Sequence, residues 1–199
     1  MTKQFEIIDK EILYSGFFRM EKYRFKHTLY AGGWSQEISR ELFVRGSCVA
    51  VLLYAPHADK VILIEQFRAG AILQPDRAWL VEIVAGAIEE GETAEEVAYR
   101  ESLEEAGCEI QELMVINEFY TTPGGASERI TLFCGKVDST HVGGIHGLDH
   151  EDEDILVRAV DFDEAYLMLE NNEIESAIPI IAIQWLALNK QKLKNKWLL

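Results

Sequence analysis

The sequence predicts an α/β chain, an α/β/α sandwich around a mixed sheet with a small N-terminal antiparallel β-domain. Three observations lead there. Apolar runs of strand length recur at Cys48–Tyr54, Val61–Phe67, Trp79–Val84, Leu113–Tyr120, Ile130–Val137 and Ile155–Phe162. Helical patterns break into that series and follow it, and such mixtures fold as layered α/β domains. The first 44 residues carry a different pattern, short and rich in aromatics. The expected division is 1–46 for the β-domain and 47–199 for the main domain.

In chain order, residues 5 to 44 read as short strands. Phe17–Leu29 alternates in part through Phe18, Met20, Tyr23 and Phe25, Ala31-Gly32-Gly33 makes a turn, and Trp34–Phe43 returns. Nine of the twenty aromatics lie in the first 46 residues. So short a meander cannot bury them alone. They pack on the main domain, on a second subunit or against a flat ligand. The buried strands of the main domain turn near Pro56–Asp59 and Gln74–Arg77, and Thr122–Arg129 is a tight loop. Asp163–Glu170 and Ser176–Lys194 read as helices, the second with Ser176 as N-cap and Pro179 tolerated in its first turn. Asp138–Asp154 reads as a long connection, with three glycines, three of the five histidines and five acids in its last six residues. Loops of that length in compact domains are usually lids or disordered. The histidines at 141, 146 and 150 are too irregularly spaced to favour zinc, and a mobile lid carrying a carboxylate is the better reading.

A net charge of −15 over 199 residues argues against nucleic acid or an anionic membrane as partner. It also repels an anionic substrate, which a metal-dependent site would offset locally. Cys48, Cys108 and Cys134 sit in apolar neighbourhoods, none at metal spacing, and read as reduced core thiols of a cytoplasmic protein. The N-terminus lacks an apolar h-region and no run approaches a membrane span.

Ala85–Cys108 is the most informative stretch. Six glutamates stand between Glu92 and Glu105, with Arg100 the one cation. Thr93 followed by Glu96 is a capping box, and Gly107 is suited to the C′ position, so a loop feeds a helix of about fourteen residues. At about 100° per residue, Glu101 and Glu105 share a stripe with Ala94, Val97 and Ala98, while Tyr99, Leu103 and Ala106 form a second stripe suited to a core. A solvated acidic face does not explain carboxylates among small apolar residues. Like charges at i, i+4 repel, and a hard divalent cation relieves that repulsion through oxygen ligands.

The spacing Gly86, five residues, Glu92, seven residues, then Arg100-Glu101-Ser102-Leu103-Glu104-Glu105-Ala106-Gly107-Cys108 resembles the Nudix box. All seven fixed positions match, and Ser102 and Cys108 depart from its two bulky apolar places. The resemblance implies a hydrolase of nucleoside diphosphate derivatives dependent on Mg²⁺ or Mn²⁺, with the sandwich fold. A silent binding protein of the same fold would lack a box glutamate, and none is missing here.

Within that family the chain looks most like the ADP-ribose pyrophosphatase group. The likeness rests on Ile64–Arg68, on Pro123 sixteen residues beyond Gly107, on the Pro123–Arg129 loop and on Gly147–Asp154. Enzymes that split GDP-mannose share much of this layout. The resemblance implies metal ligands at Glu101, Glu105, Glu153 and the Ala85 carbonyl. It implies Glu151 as general base, Glu104 as orienter of water or of a second ion, and Arg100 as a brace for the box glutamates. Arg68 would hold a phosphate. Phe17, Arg40, Glu41 and Glu128 would line the substrate pocket, with Phe17 stacking on adenine in the partner's site of a homodimer.

Overall fold

The computed structural model describes residues 2–198. By compactness the chain forms two units, one comprising the chain up to Ser47 with Tyr120–Arg129, the other Cys48–Phe119 with Ile130 onward. Tyr120–Arg129 lies inside the span expected of the main domain and clusters with the N-terminal unit.

The first unit is an antiparallel sheet, β1 (Phe5–Ser15), β2 (Arg19–His27) and β3 (Ile38–Val44), in that spatial order. Residues of Tyr120–Arg129 bond along the end of β3: Phe43 N–H donates to Gly125 O at 2.8 Å, and Ser127 N–H to Phe43 O at 3.1 Å. Every residue of β1 is exposed. Glu21 on β2 is the buried acid of this unit, met by Lys10 Nζ at 2.9 Å, Arg19 Nε at 2.5 Å and the Tyr23 hydroxyl at 2.6 Å.

The second unit is built on a mixed sheet of eight strands. The path runs β10 (Gly143–His146), β11 (Ile155–Asp161), β5 (Lys60–Phe67), β4 (Ser47–Ala55), β9 (Arg129–Lys136), β8 (Glu112–Tyr120), with β6 (Trp79–Glu82) paired to β5 and β7 (Val84–Ala87) to β4. Strand periodicity explains how this sheet makes two cores, because alternate side chains point to opposite faces. Ala50, Leu52 and Tyr54 of β4, with Val61 and Leu63 of β5, pack with helices α2 (Phe162–Glu170) and α3 (Ala177–Trp197). Val49, Val51, Leu53, Ile62 and Ile64 pack with Val97, Ala98 and Ala106 of helix α1 (Ala94–Ala106). Most of these side chains are fully buried, each contributing about 1.5–3 kcal/mol relative to exposure. Helices thus cover both faces of the sheet.

The β4–β5 turn is fastened to α3. Asp59, at φ 55°, accepts from the Tyr54 hydroxyl at 2.7 Å, Lys190 at 3.1 Å and Lys194 at 2.9 Å. Burial pushes the Asp59 carboxyl up, but Lys194, Tyr54 and Lys190 together hold it below its ordinary value.

Three elements differ from expectation. Trp79–Val84 is two strands, with Ile83 as the step between neighbours. The stripe of α1 expected to meet a core does so only at Ala106, since Tyr99 and Leu103 are exposed; the small residues Val97, Ala98 and Ser102 approach the sheet instead. Part of the long connection before Ile155 is ordered as β10, which pairs antiparallel with β11.

Candidate active site

The site is built where β7 delivers its chain to α1. Thr93 caps α1, its hydroxyl accepting from Glu96 N–H at 3.2 Å while the Glu96 carboxylate accepts from Thr93 N–H at 2.8 Å. Gly107 ends the helix in the left-handed region at φ 62°. Between these caps Arg100, Glu101, Ser102, Glu104 and Glu105 each have a hydrogen-bond partner. Ser102, in a place that suits an apolar side chain, is fully buried, and its hydroxyl donates to Ala98 O at 2.7 Å. Its polarity is satisfied within the helix, so the departure costs little.

Arg100 holds three glutamates with one guanidinium. Its Nε and Nη2 reach Glu92 at 3.1 and 3.3 Å, and its Nη1 reaches Glu101 at 2.8 Å and Glu104 at 3.0 Å. The pairing with Arg100, helped by Glu89 N–H, holds the Glu92 carboxyl below its ordinary value. Glu92 therefore serves as the anchor that fixes Arg100.

Glu101 and Glu105 are in the opposite condition. Burial pushes Glu101 up to about 7 despite Arg100, with Glu104 and Glu153 adding repulsion. Glu105 is 3% exposed and burial pushes it up to about 8, with Glu101 and Glu153 adding repulsion, although Ala85 N–H donates to it at 2.9 Å. A Cβ on Gly86 would fall 1.9 Å from Glu101 Oε1, so only glycine lets this carboxylate lie against the strand. Two desolvated carboxylates that repel one another, pressed onto the β7 backbone, are a donor set that fits a hard divalent cation. Glu153, near enough to repel both, also accepts from Leu148 N–H at 3.2 Å. Among the described residues no three His, Cys, Asp or Glu side chains converge as a ready-made metal cluster.

Arg68 follows β5, and its Nε and Nη2 both meet Glu82 Oε2 at 2.8 and 2.7 Å. Glu82, on β6, is the residue that sequence reasoning missed. An acid inside the apolar run Trp79–Val84 was the available signal. Glu151 is exposed on the turn Asp149–Glu151, 3.7 Å from His150 Nε2.

In the N-terminal unit, Arg40 and Glu41 line a cavity of about 380 Å³ with Phe5, Tyr23, Phe25 and Pro123. Phe17 is outside that cavity, 96% exposed and edge-on to Phe18 with centroids 4.8 Å apart. Glu128 is also outside it, paired with Arg45 at 3.0 Å.

A chain described as an ADP-ribose pyrophosphatase from Escherichia coli (strain K12) is 47% identical over 192 residues, covering 96% of this chain and 92% of the relative. An ADP-ribose pyrophosphatase from Haemophilus influenzae is 45% identical over 195 residues, covering 96% and 90%. A GDP-mannose pyrophosphatase from Shigella flexneri serotype 5b is 30% identical over 191 residues, covering 95% and 98%. A crystal structure of an ADP compounds hydrolase shares the fold, with a TM-score of 0.69 at 18% identity over 98% of this chain and 96% of that one. The NUDIX domain profile matches residues 44–182, which include the whole box and the strands that carry it, and this chain belongs to the Nudix hydrolase family.

Proposed function

We propose that the protein hydrolyses the diphosphate of ADP-ribose, with Mg²⁺ or Mn²⁺, to AMP and ribose 5-phosphate. The observation that carries the reading is the pair of desolvated carboxylates, Glu101 and Glu105, beside Ala85. With Glu153 and the Ala85 carbonyl they would hold the ion. A divalent cation supplies positive charge to the diphosphate oxygens and makes an attacking water more acidic. Arg68, preset by Glu82, binds a phosphate oxygen pair through its planar fork. Glu151 takes a proton from the water as its oxygen attacks one phosphorus, and the bridging oxygen leaves with the other phosphate. Glu104 orients that water or a second ion, and Arg100 keeps Glu101 and Glu104 in register.

The ADP-ribose reading is supported by the two relatives at 45–47% identity. The relative described as a GDP-mannose pyrophosphatase, at 30% identity, supports the second reading, GDP-mannose. In the N-terminal unit, Arg40 and Glu41 line the nucleoside pocket, with Phe17 and Glu128 supplied to the site of a homodimer. The exposed apolar side chains of β1, Phe5, Ile7, Ile12 and Tyr14, support the second copy as their cover. The buried thiols Cys108 and Cys134 suit a cytoplasmic enzyme.

The test is a substrate panel with Mg²⁺ or Mn²⁺, comparing ADP-ribose, GDP-mannose and ADP-glucose by the phosphates released. ADP-ribose should give the highest kcat/KM. A preference for GDP-mannose would replace the reading, and no cleavage of any of them would end it. In the same assay Glu151→Gln should lower kcat by about 10²–10⁴-fold with KM nearly unchanged. Glu153→Gln should be partly rescued by more Mg²⁺. If Glu151→Gln turns over at the wild-type rate, the base lies elsewhere, with Asp149, Asp152 and Asp154 next to be tried.

A further inference from the structure

A helix end leaves four carbonyls without intrahelical partners. At the C-terminus of α1, Gly107 N–H takes Leu103 O at 2.9 Å and Cys108 N–H takes Ser102 O at 2.9 Å. These are closures local to the helix. Glu104 O is reached from far along the chain, by Gly147 N–H at 3.4 Å. The residue before it, His146, lays its half-buried ring on Gly107. A Cβ at Gly107 would lie 2.6 Å from His146 Cε1 and 3.2 Å from Nδ1. The ring is fastened to its own strand, with Nε2 3.2 Å from Gly143 O. Its backbone pairs with Ile155 of β11. Beyond it the acidic segment closes on itself. Gly147, at φ 105°, packs against Glu153, where a Cβ would fall 2.6 Å from the Glu153 Cβ, and Glu153 N–H donates to Leu148 O at 3.4 Å.

We infer that His146 is a positioning residue that seats the acidic segment 147–154 on the end of the box helix, so that this segment is itself part of the helix cap. Gly107 then has two duties, the left-handed turn and the flat seat for the ring. Lifting the segment uncovers Glu104 O, in the turn of helix that also carries Glu105. The consequence runs both ways. A disturbed helix end frees the segment, and a freed segment loosens the box carboxylates. The inference rests on the proposed chemical role of Glu151 and Glu153 only for its effect on turnover, not for the contact itself.

Hydrogen exchange on the metal-free protein tests it without turnover. In His146→Ala, amides of 147–154 should exchange at least about tenfold faster, while those of β4 and β5 keep wild-type rates. In His146→Phe, which keeps a ring and loses the contact to Gly143, most of that protection should return. Kinetically, His146→Ala should lower kcat with KM for the diphosphate shifted less than about twofold. Gly107→Ala should destabilise the wild-type background more than the His146→Ala background, because only the former contains the ring it strikes. Unchanged exchange at 147–154 in His146→Ala overturns the inference. So does an increase shared by β4, or a His146→Phe variant as exposed as the alanine. If exchange responds as expected while Glu151→Gln and Glu153→Gln keep full activity, the seat is real and the proposed lid chemistry fails.

Discussion

At the scale of single residues, the site separates carboxylates by what surrounds them. Glu92 is held ionised by Arg100, whereas Glu105 is desolvated and faces other acids. On the proposed reading, Glu105→Gln removes a hard ligand, and it also removes a source of repulsion. Turnover should fall by more than the roughly 10–100-fold that loss of an outer-shell partner costs, while the melting temperature in chelator should stay level or rise. Calorimetry with and without metal, beside the assay, checks both halves. Glu82 offers a different test. It is largely buried and bonds the guanidinium of Arg68 through two nitrogens, so Glu82→Ala leaves that fork without its template. KM for the diphosphate should rise about tenfold, the cost of roughly one charge-assisted hydrogen bond, with kcat changed less. Glu101, Glu104 and Glu105 were legible from sequence because their spacing lies within one helix. Glu82 was not, because its partner stands fourteen residues away across a strand pair.

At the scale of elements, Asp59 shows how α3 is held. Its carboxyl is kept below its ordinary value by Lys194, Tyr54 and Lys190, against the opposing effect of burial. A depressed folded pKa means that the unfolded chain takes up the proton first as pH falls. The stabilisation is therefore fully present above the unfolded value near 3.9 and is lost as pH drops through the folded one. Asp59→Asn tolerates the left-handed backbone and removes the charge. Because Asp59 is about a third exposed and solvent screens its ion pairs, the change should cost about 1 kcal/mol at neutral pH, with the difference shrinking below about pH 4. Urea titrations of both proteins at several pH values measure this. The strands β4 and β5 were readable because long apolar runs buried on both faces leave few alternatives. The break at Ile83 was not, since Trp79–Val84 is equally apolar whichever neighbour it pairs with. β10 was hidden for another reason. Gly143-Gly144 has no strand propensity, and β11 beside it supplies the pairing.

At the scale of the molecule, the two units differ in how well they cover themselves. The main sheet buries both faces under helices, while β1 leaves Phe5, Ile12 and Tyr14 more than half exposed. A second copy is the proposed cover, and Ile12→Lys probes it with a change that costs an isolated protomer little. Sedimentation at micromolar concentration should show a dimer for the wild type and a monomer for the variant. Activity should fall with dimer content. A wild-type monomer of full activity would leave the apolar strand without this explanation. The surplus of aromatics in the first 46 residues was legible, but what covers them was not, because composition reports unburied surface without naming its partner.

The step at Ile83 also sets a length. Glu82, which holds Arg68, and Ala85, which holds Glu105, are three residues apart on strands with different neighbours. Three extended residues span about 10 Å. The Arg68–Glu82 pair and the Ala85–Glu105 bond, proposed to face anion and cation, are thereby gauged against each other by a stretch of backbone pinned at both ends. One residue added or removed between them would flip the side chains of one strand to the wrong core. The connection at Ser139–His141, exposed for most of its length, imposes no such gauge and can vary in length.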